Sequence, residues 1–495
     1  MRRAALALVT LMLACDGSPP PEPAPPPLAT SAPVAALPQP KPDRSKLPEP
    51  GPAPGWALPS PARVELDNGV PVYFLEQGPT PLVTVLLLVS GGAVTDPVGK
   101  EGLTATTIDM LDEGAGGKDA LALSEALQRL GTEYSATTDV EHAVLGMDLI
   151  AESFEPSVAL LADIARRPTL DATEFARRKQ QRIAEAISAE SEPTHGRAVV
   201  LRKALFGDGY GSYLPVGTRD SLTRVTLADV KKHYQAMVAP EGVALIVAGG
   251  IDQKSAVSAL NTHFGSWSGA PSIKARSLSS APVAPDIFVV DYPGSTQSAI
   301  SLARRATGHD SDEYFPALVH NRAFGEAFTS RVNMNLREDK GYTYGARSVF
   351  TRWPAHGFFA IAASVKSETT RPSIDEVLKE LEGTCGARPL SQEERNKAVG
   401  GLLLGYPGRF ESVSNVAREL MNLPLYQRPV SWFSTFPGRV QAVDLTTANQ
   451  LGKRYCDGSQ FAIVIAGDKK SVVPTLEGLG RPLHFYDARG KKLGK

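Results

Sequence analysis

Hydrophobic and polar positions alternate from Val64 to Leu75 around an Asn68-Gly69 pair. That pattern predicts a strand, a tight turn and a second strand. A longer apolar run over residues 82–89 predicts a further strand. Apolar residues then recur at helical spacing over 102–111 and again over 120–130, where Gly131 supplies a stop. Two more strands are expected at 133–138 and 142–150, followed by a long helical region from Glu174 to about Lys203. Thr226-Leu227-Ala228-Asp229 is a capped helix start, and the helix it opens leads to the apolar strand 243–250.

The second half of the chain closes in the same way. Thr446-Thr447-Ala448-Asn449 opens a helix that ends near Tyr455, and the apolar strand 461–468 ends in Ala466-Gly467. Both halves thus run from a helix ending near an aromatic into an apolar strand capped by Ala-Gly. The period is about two hundred residues, too long for a solenoid, and it points to duplicated domains. Strands and helices interleave without a strict βαβ rhythm or phosphate-loop glycines. The expected class is α+β: two homologous domains, each a mostly antiparallel sheet with helices packed on one face. We place the domains at 63–265 and 286–495, with the Ser/Ala/Pro-rich residues 266–285 as the linker.

Composition changes the picture mainly at the N-terminus. The 495 residues carry 52 basic and 53 acidic side chains, a balance that offers no footprint for nucleic acid. Arg2 and Arg3 precede an apolar run over 4–13 that has the length of a signal peptide and is too short for a membrane span. The run ends Leu11-Met12-Leu13-Ala14-Cys15, which resembles a bacterial lipobox. Residues 1–15 then read as a lipoprotein signal, with Cys15 as the lipidated residue. The alternative is an ordinary secretory signal with a chance cysteine. Residues 16–62 hold seventeen of the 40 prolines and predict an extended spacer, reaching up to ~100 Å. The expected location is the bacterial cell envelope, lipid-anchored and facing the periplasm or the outside. Cys385 and Cys456 remain. An oxidising compartment would let them pair, and alone they cannot build a zinc site.

Chemistry enters through one intact motif and one degenerate one. Leu336-Arg337-Glu338-Asp339-Lys340-Gly341-Tyr342-Thr343-Tyr344-Gly345, with the helix approach from Phe324, resembles the substrate-gripping segment of the pitrilysin/insulinase family of zinc peptidases. In that family an Arg and a Tyr seven residues later hold the peptide, and Arg337 and Tyr344 have that spacing. The resemblance spans essentially the whole folded chain. It implies two α+β domains forming half of a clam-shell that a second such chain closes. It also implies an inverted H-x-x-E-H helix near the N-terminus that binds zinc. Here the corresponding segment is Gly102-Leu103-Thr104-Ala105-Thr106-Thr107-Ile108-Asp109-Met110-Leu111.

On a helix, residues i and i+4 share a face, so two His there can grip one ion while the preceding Glu acts as base. Those positions here are Ala105 and Asp109 for the ligands and Ile108 for the base. Ala has no donor atom and Ile accepts no proton. The family's third ligand, a Glu on a later helix, corresponds to Glu185, a vestigial ligand on this reading. None of the eight histidines forms an H-x-x-x-H or H-x-x-E-H pair; Glu141-His142 falls in an expected strand and His195 in an expected loop after Pro193. No Gly-x-Ser-x-Gly elbow is present.

The expectation is therefore a tethered, non-catalytic subunit of a heterodimeric peptidase. This chain would bind no cofactor, and a zinc-bearing partner of the same family would supply metal, water and base. Arg337 would grip peptide carbonyls and Tyr344 would donate to the scissile carbonyl. Peptide would add as an extra strand to an exposed sheet edge. Two rival readings remain: a scaffold or peptide-binding lipoprotein with no peptidase role, and an active zinc peptidase, which the missing ligands disfavour.

Overall fold

Twelve strands form two six-stranded sheets in a computed structural model that describes residues 60–277, 284–354 and 356–494. The residues read as a signal peptide, Cys15, most of those read as a spacer and part of those read as a linker lie outside the described residues. The first sheet contains β1 (Ala62–Glu65), β2 (Pro71–Glu76), β3 (Leu82–Ser90), β4 (Glu133–Thr138), β5 (His142–Ile150) and β6 (Val243–Gly249). Their order is β1-β2-β6-β3-β5-β4, antiparallel except where β2 meets β6. The second contains β7 (Ile287–Asp291), β8 (Gln297–Thr307), β9 (Thr343–Arg352), β10 (His356–Lys366), β11 (Ala462–Gly467) and β12 (Leu483–Tyr486), in the order β12-β7-β11-β8-β10-β9.

Leaving out β1 and β12, the two sheets have one connectivity. The path β2-β6-β3-β5-β4 repeats as β7-β11-β8-β10-β9, which is the expected duplication made visible as topology. In both copies the third strand of the half lies at a sheet edge: β4 in the first and β9 in the second.

Each sheet packs its own helices on one face, as expected for an α+β domain. In the first, Val85, Leu87, Leu145 and Val247 meet Leu103, Ile108, Leu161 and Phe264. In the second, Ile300, Leu302, Phe359 and Ile463 meet Phe324, Leu336, Val377 and Leu451. The opposite faces are covered by exchange between the halves. Leu86, Leu88 and Ile246 of the first sheet pack under Val416 and Leu420, on the second-half helix Val413–Leu425. Val290, Ala303 and Val464 of the second sheet pack under Val200, Leu201 and Leu205, on the first-half helix Pro193–Phe206.

Two expectations need correction. The helical region from Glu174 to Lys203 is two helices, Ala172–Glu190 and Pro193–Phe206. Proline at the first helical position lacks an N–H that would be unpaired there anyway, so Pro193 starts the second helix. His195 therefore lies in a helix and not in a loop. Cys385 and Cys456 are joined in a disulfide with Cα atoms 5.4 Å apart, tying the helix Thr370–Cys385 to the end of the helix Leu445–Tyr455.

Candidate functional site

The helix Leu103–Asp109 is fixed at its start by Asp96, whose carboxylate accepts from Gly102 N, Thr104 N and Thr104 Oγ1 at 2.6–2.7 Å. Burial raises the Asp96 carboxyl to about 6, against the pull of those hydrogen bonds. Gly102 sits at φ 91°, and a Cβ there would lie 2.8 Å from the Val216 carbonyl oxygen. The turn into the helix therefore requires glycine. Thr104 Oγ1 also meets His233 Nε2 at 2.8 Å, and burial lowers that imidazole to about 4.

Past this anchored start, Ala105 and Ile108 are buried, and Ile108 is part of the core of the first sheet. Asp109 points to the helix Ala172–Glu190, where Arg182 donates to its carboxylate and Arg178 lies 3.7 Å away. Arg182 also donates to the Val216 carbonyl at 3.1 Å. Arg178 reaches Glu113 at 3.2 Å, and Arg177 pairs with both Glu113 and Glu174. Arg178 and Arg182 are four residues apart, so they share the face turned to Asp109.

Glu185 does not join them. It is exposed and accepts from Gln181 Nε2 at 3.0 Å, one turn back on its own helix. The position read as a vestigial ligand thus falls outside the cluster: by spacing it shares a face with Arg178 and Arg182, but it lies nearly a turn beyond Arg182, exposed and bonded to Gln181, while the arginines take the Asp109 carboxylate. A catalytic zinc requires three protein donors and an open position. These residues do not fit one: Ala105 offers nothing and the Asp109 carboxylate is held by guanidinium groups. Among the described residues, no group of three or more His, Cys, Asp and Glu side chains is placed to hold a metal.

Arg337 and Tyr344 are presented differently. Arg337 lies in a π-helical turn, Met334–Asp339, with its guanidinium 4.4 Å from the centroid of the Phe328 ring and 3.5 Å from Glu338. Phe328 is itself 62% exposed, an aromatic that the motif did not flag. Tyr344 stands at the start of edge strand β9 and is 94% exposed. The ladder between β10 and β9 passes from Ala363–Ala346 to Val365–Thr343, so Tyr344 and Gly345 face the single residue Ser364. This is a β-bulge, a device that re-aims a side chain at a strand end. Thr343 Oγ1 stabilises it by donating to Ser364 O at 2.7 Å and accepting from Gly345 N at 3.1 Å.

Buried Asn333 ties the two elements together. Its amide donates to Phe328 O at 2.6 Å, and its carbonyl accepts from Ala346 N at 3.0 Å. The π-turn, the exposed Phe328 and the bulged strand therefore form one braced unit. No core packing claims the Tyr344 ring, and the Arg337 ion pair is a solvent-exposed one.

The insulinase (peptidase family M16) model matches residues 72–212, and the model of the peptidase M16 inactive domain matches residues 224–402. An uncharacterised zinc protease of Mycobacterium leprae is 21% identical over 319 residues, covering 63% of this chain and 71% of that protein. The non-peptidase homolog YmxG of Helicobacter pylori is 19% identical over 411 residues, covering 81% of this chain and 92% of its own. Among solved structures, a peptidase M16 inactive domain from Pseudomonas fluorescens superposes with a TM-score of 0.76 at 23% identity, over 82% of this chain and 98% of that one. The two family models together span most of the folded chain, which belongs to peptidase family M16, the insulinase family.

Proposed function

We propose that this chain is the substrate-holding, non-catalytic subunit of a two-chain peptidase. A partner of the same family carries the zinc and the base, and this chain contributes Arg337 and Tyr344 to the shared chamber. One observation carries the reading: the bulge at the start of β9 holds a tyrosine in solvent and is tied through Asn333 to the turn that carries Arg337, while an Asp109–Arg182 ion pair fills the metal region. A protein that had lost all contact with substrate would have no use for a bulge that keeps an aromatic ring out of its core. Within β9 the Ala346 N–H and the Ser348 carbonyl are taken by Asn333 and Asn321, so a peptide adding as a strand would do so at β4, the outer strand of the first sheet.

The test is reconstitution. Peptide hydrolysis should need both chains, with the zinc-bearing partner nearly inert alone and this chain inert alone. A partner that cleaves at full rate without this chain would favour the scaffold reading, as would failure of the two chains to associate.

Anchoring is part of the same proposal. Lipid on Cys15 would hold the protein at a membrane of the cell envelope, with the Pro-rich segment as spacer. Cys15→Ala should move the protein from the membrane to the soluble fraction on cell fractionation. Membrane association as strong as that of the unaltered chain would defeat this part.

A further inference from the structure

A cleft of about 780 Å³ opens between the two halves of the folded unit, a size that suits a small ligand or a few peptide side chains. Tyr73, Leu88 and Glu141 line it from the first half, and Pro354, Leu425 and Arg428 from the second. It has apolar walls and carries two cations and two carboxylates. Its two cations are engaged: Arg63 pairs with Glu65 at 2.8 Å, and Arg428 lies 3.6 Å from the centroid of a Trp432 ring while donating to His309 Nδ1 at 2.9 Å. Its two carboxylates, Glu141 and Glu241, make no hydrogen bond or ion pair with any described residue. The Tyr210 hydroxyl, also in the wall, is buried without a partner among the described residues.

Glu141 lies in the β4–β5 turn, mostly buried. Burial, and then the nearby carboxylates of Asp139 and Asp310, raise its carboxyl to about 8. His142, next to it, is itself lowered by burial and raised by Asp139. Arg63 reaches the cleft from β1, Glu241 from the turn before β6, and Arg428 from beyond the helix Val413–Leu425. A buried carboxyl left without a partner gains from a cation brought beside it, because the pairing offsets the cost of ionising there.

We propose that this cleft binds a cation on an apolar stem, the side chain of a lysine or arginine in a peptide, with Glu141 as its counter-ion. The stem packs on the tyrosine, proline and leucine walls, and the charged head forms a charge-assisted hydrogen bond with the carboxylate. The inference uses neither Arg337 nor Tyr344 nor a second chain, so it stands or falls apart from the peptidase reading.

The experiment is calorimetry on the full chain with acetyl-Ala-Arg-Ala-amide, and with the same peptide carrying neutral citrulline in place of arginine. The arginine peptide should saturate one site, and the citrulline peptide should bind at least about tenfold more weakly. Because Glu141 must ionise to pair, binding at pH 7 should release close to one proton, read from the dependence of the enthalpy on the buffer. For the same reason affinity should rise by about tenfold or more between pH 6 and pH 8. Glu141→Gln should remove both the proton release and the pH dependence, and Glu141→Asp should retain them in part. An unchanged thermal midpoint in Glu141→Gln confirms that the fold is intact. Equal affinity for the two peptides, no saturable binding, or a Glu141→Gln variant that binds with the same proton release would overturn the proposal.

Discussion

Tyr344→Phe in the assembled pair should lower peptide turnover by about 10²–10³, the usual cost of losing one oxyanion donor. It should do so without touching the fold. The ring is 94% exposed, and its hydroxyl makes no bond with any described residue, so no contact that holds the described fold together is lost. The change removes one oxygen and leaves the aromatic surface. Arg337→Ala should act on the same step with a small stability change. Its exposed pair with Glu338 is worth about 0–1 kcal/mol and its stacking on Phe328 about 0.5–1 kcal/mol. Arg337→Lys should recover little turnover, because an ammonium lacks the planar fork that meets two acceptors at once. Thermal midpoints and partner association separate lost chemistry from lost folding. If both variants, folded and assembled, cleave at the unaltered rate, the two residues are surface features and the scaffold reading gains.

The second large effect is on stability. Arg182 is 8% exposed and joins Asp109 to the Val216 carbonyl, holding together the helices Leu103–Asp109 and Ala172–Glu190 and the loop before Thr218. Arg182→Leu would strand the Asp109 carboxylate. Breaking a buried pair from one side costs about 3–5 kcal/mol, and here the lower end applies because Arg178 stays within 4 Å. Removing both partners is a different matter. The double variant Arg182→Leu, Asp109→Leu leaves no orphaned charge and should regain most of the loss. Denaturant midpoints of the single and double variants measure this directly. A single variant that costs less than about 1 kcal/mol, or a double variant no better than the single, would mean that the pair is incidental.

The features legible in the chain were those set by local pattern. Strands β2, β3 and β6 and the helix Leu103–Asp109 follow from apolar spacing, and Gly102 and Met110-Leu111 frame the helix whose ligands are gone. The motif around Arg337 located a surface unit, but not its construction. A bulge depends on which residue stands across the ladder, and Ser364 opposite Tyr344 and Gly345 is set only when β9 pairs with β10. Glu185 shows the same limit in another way. Counting along the chain to a family spacing finds a carboxylate, but which turn of the later helix meets Asp109 is decided by how two helices pack. Arg177, Arg178 and Arg182, clustered beside a helix that had lost its histidines, were the available signal.

The reciprocal cover of the two sheets bears on how such a chain can arise and be taken apart. A half made alone would leave one apolar sheet face bare, along with an amphipathic helix with nothing to lie on. Two identical halves could satisfy each other only as a domain-swapped dimer, each lending its helix to the other. Fusing them in tandem makes that exchange intramolecular, at an effective concentration no free dimer reaches. The covalent joint between the halves is then not what holds them together, and a cut within it would leave two fragments still clasped. The halves should melt as a single cooperative body, so damage in either one is felt by both.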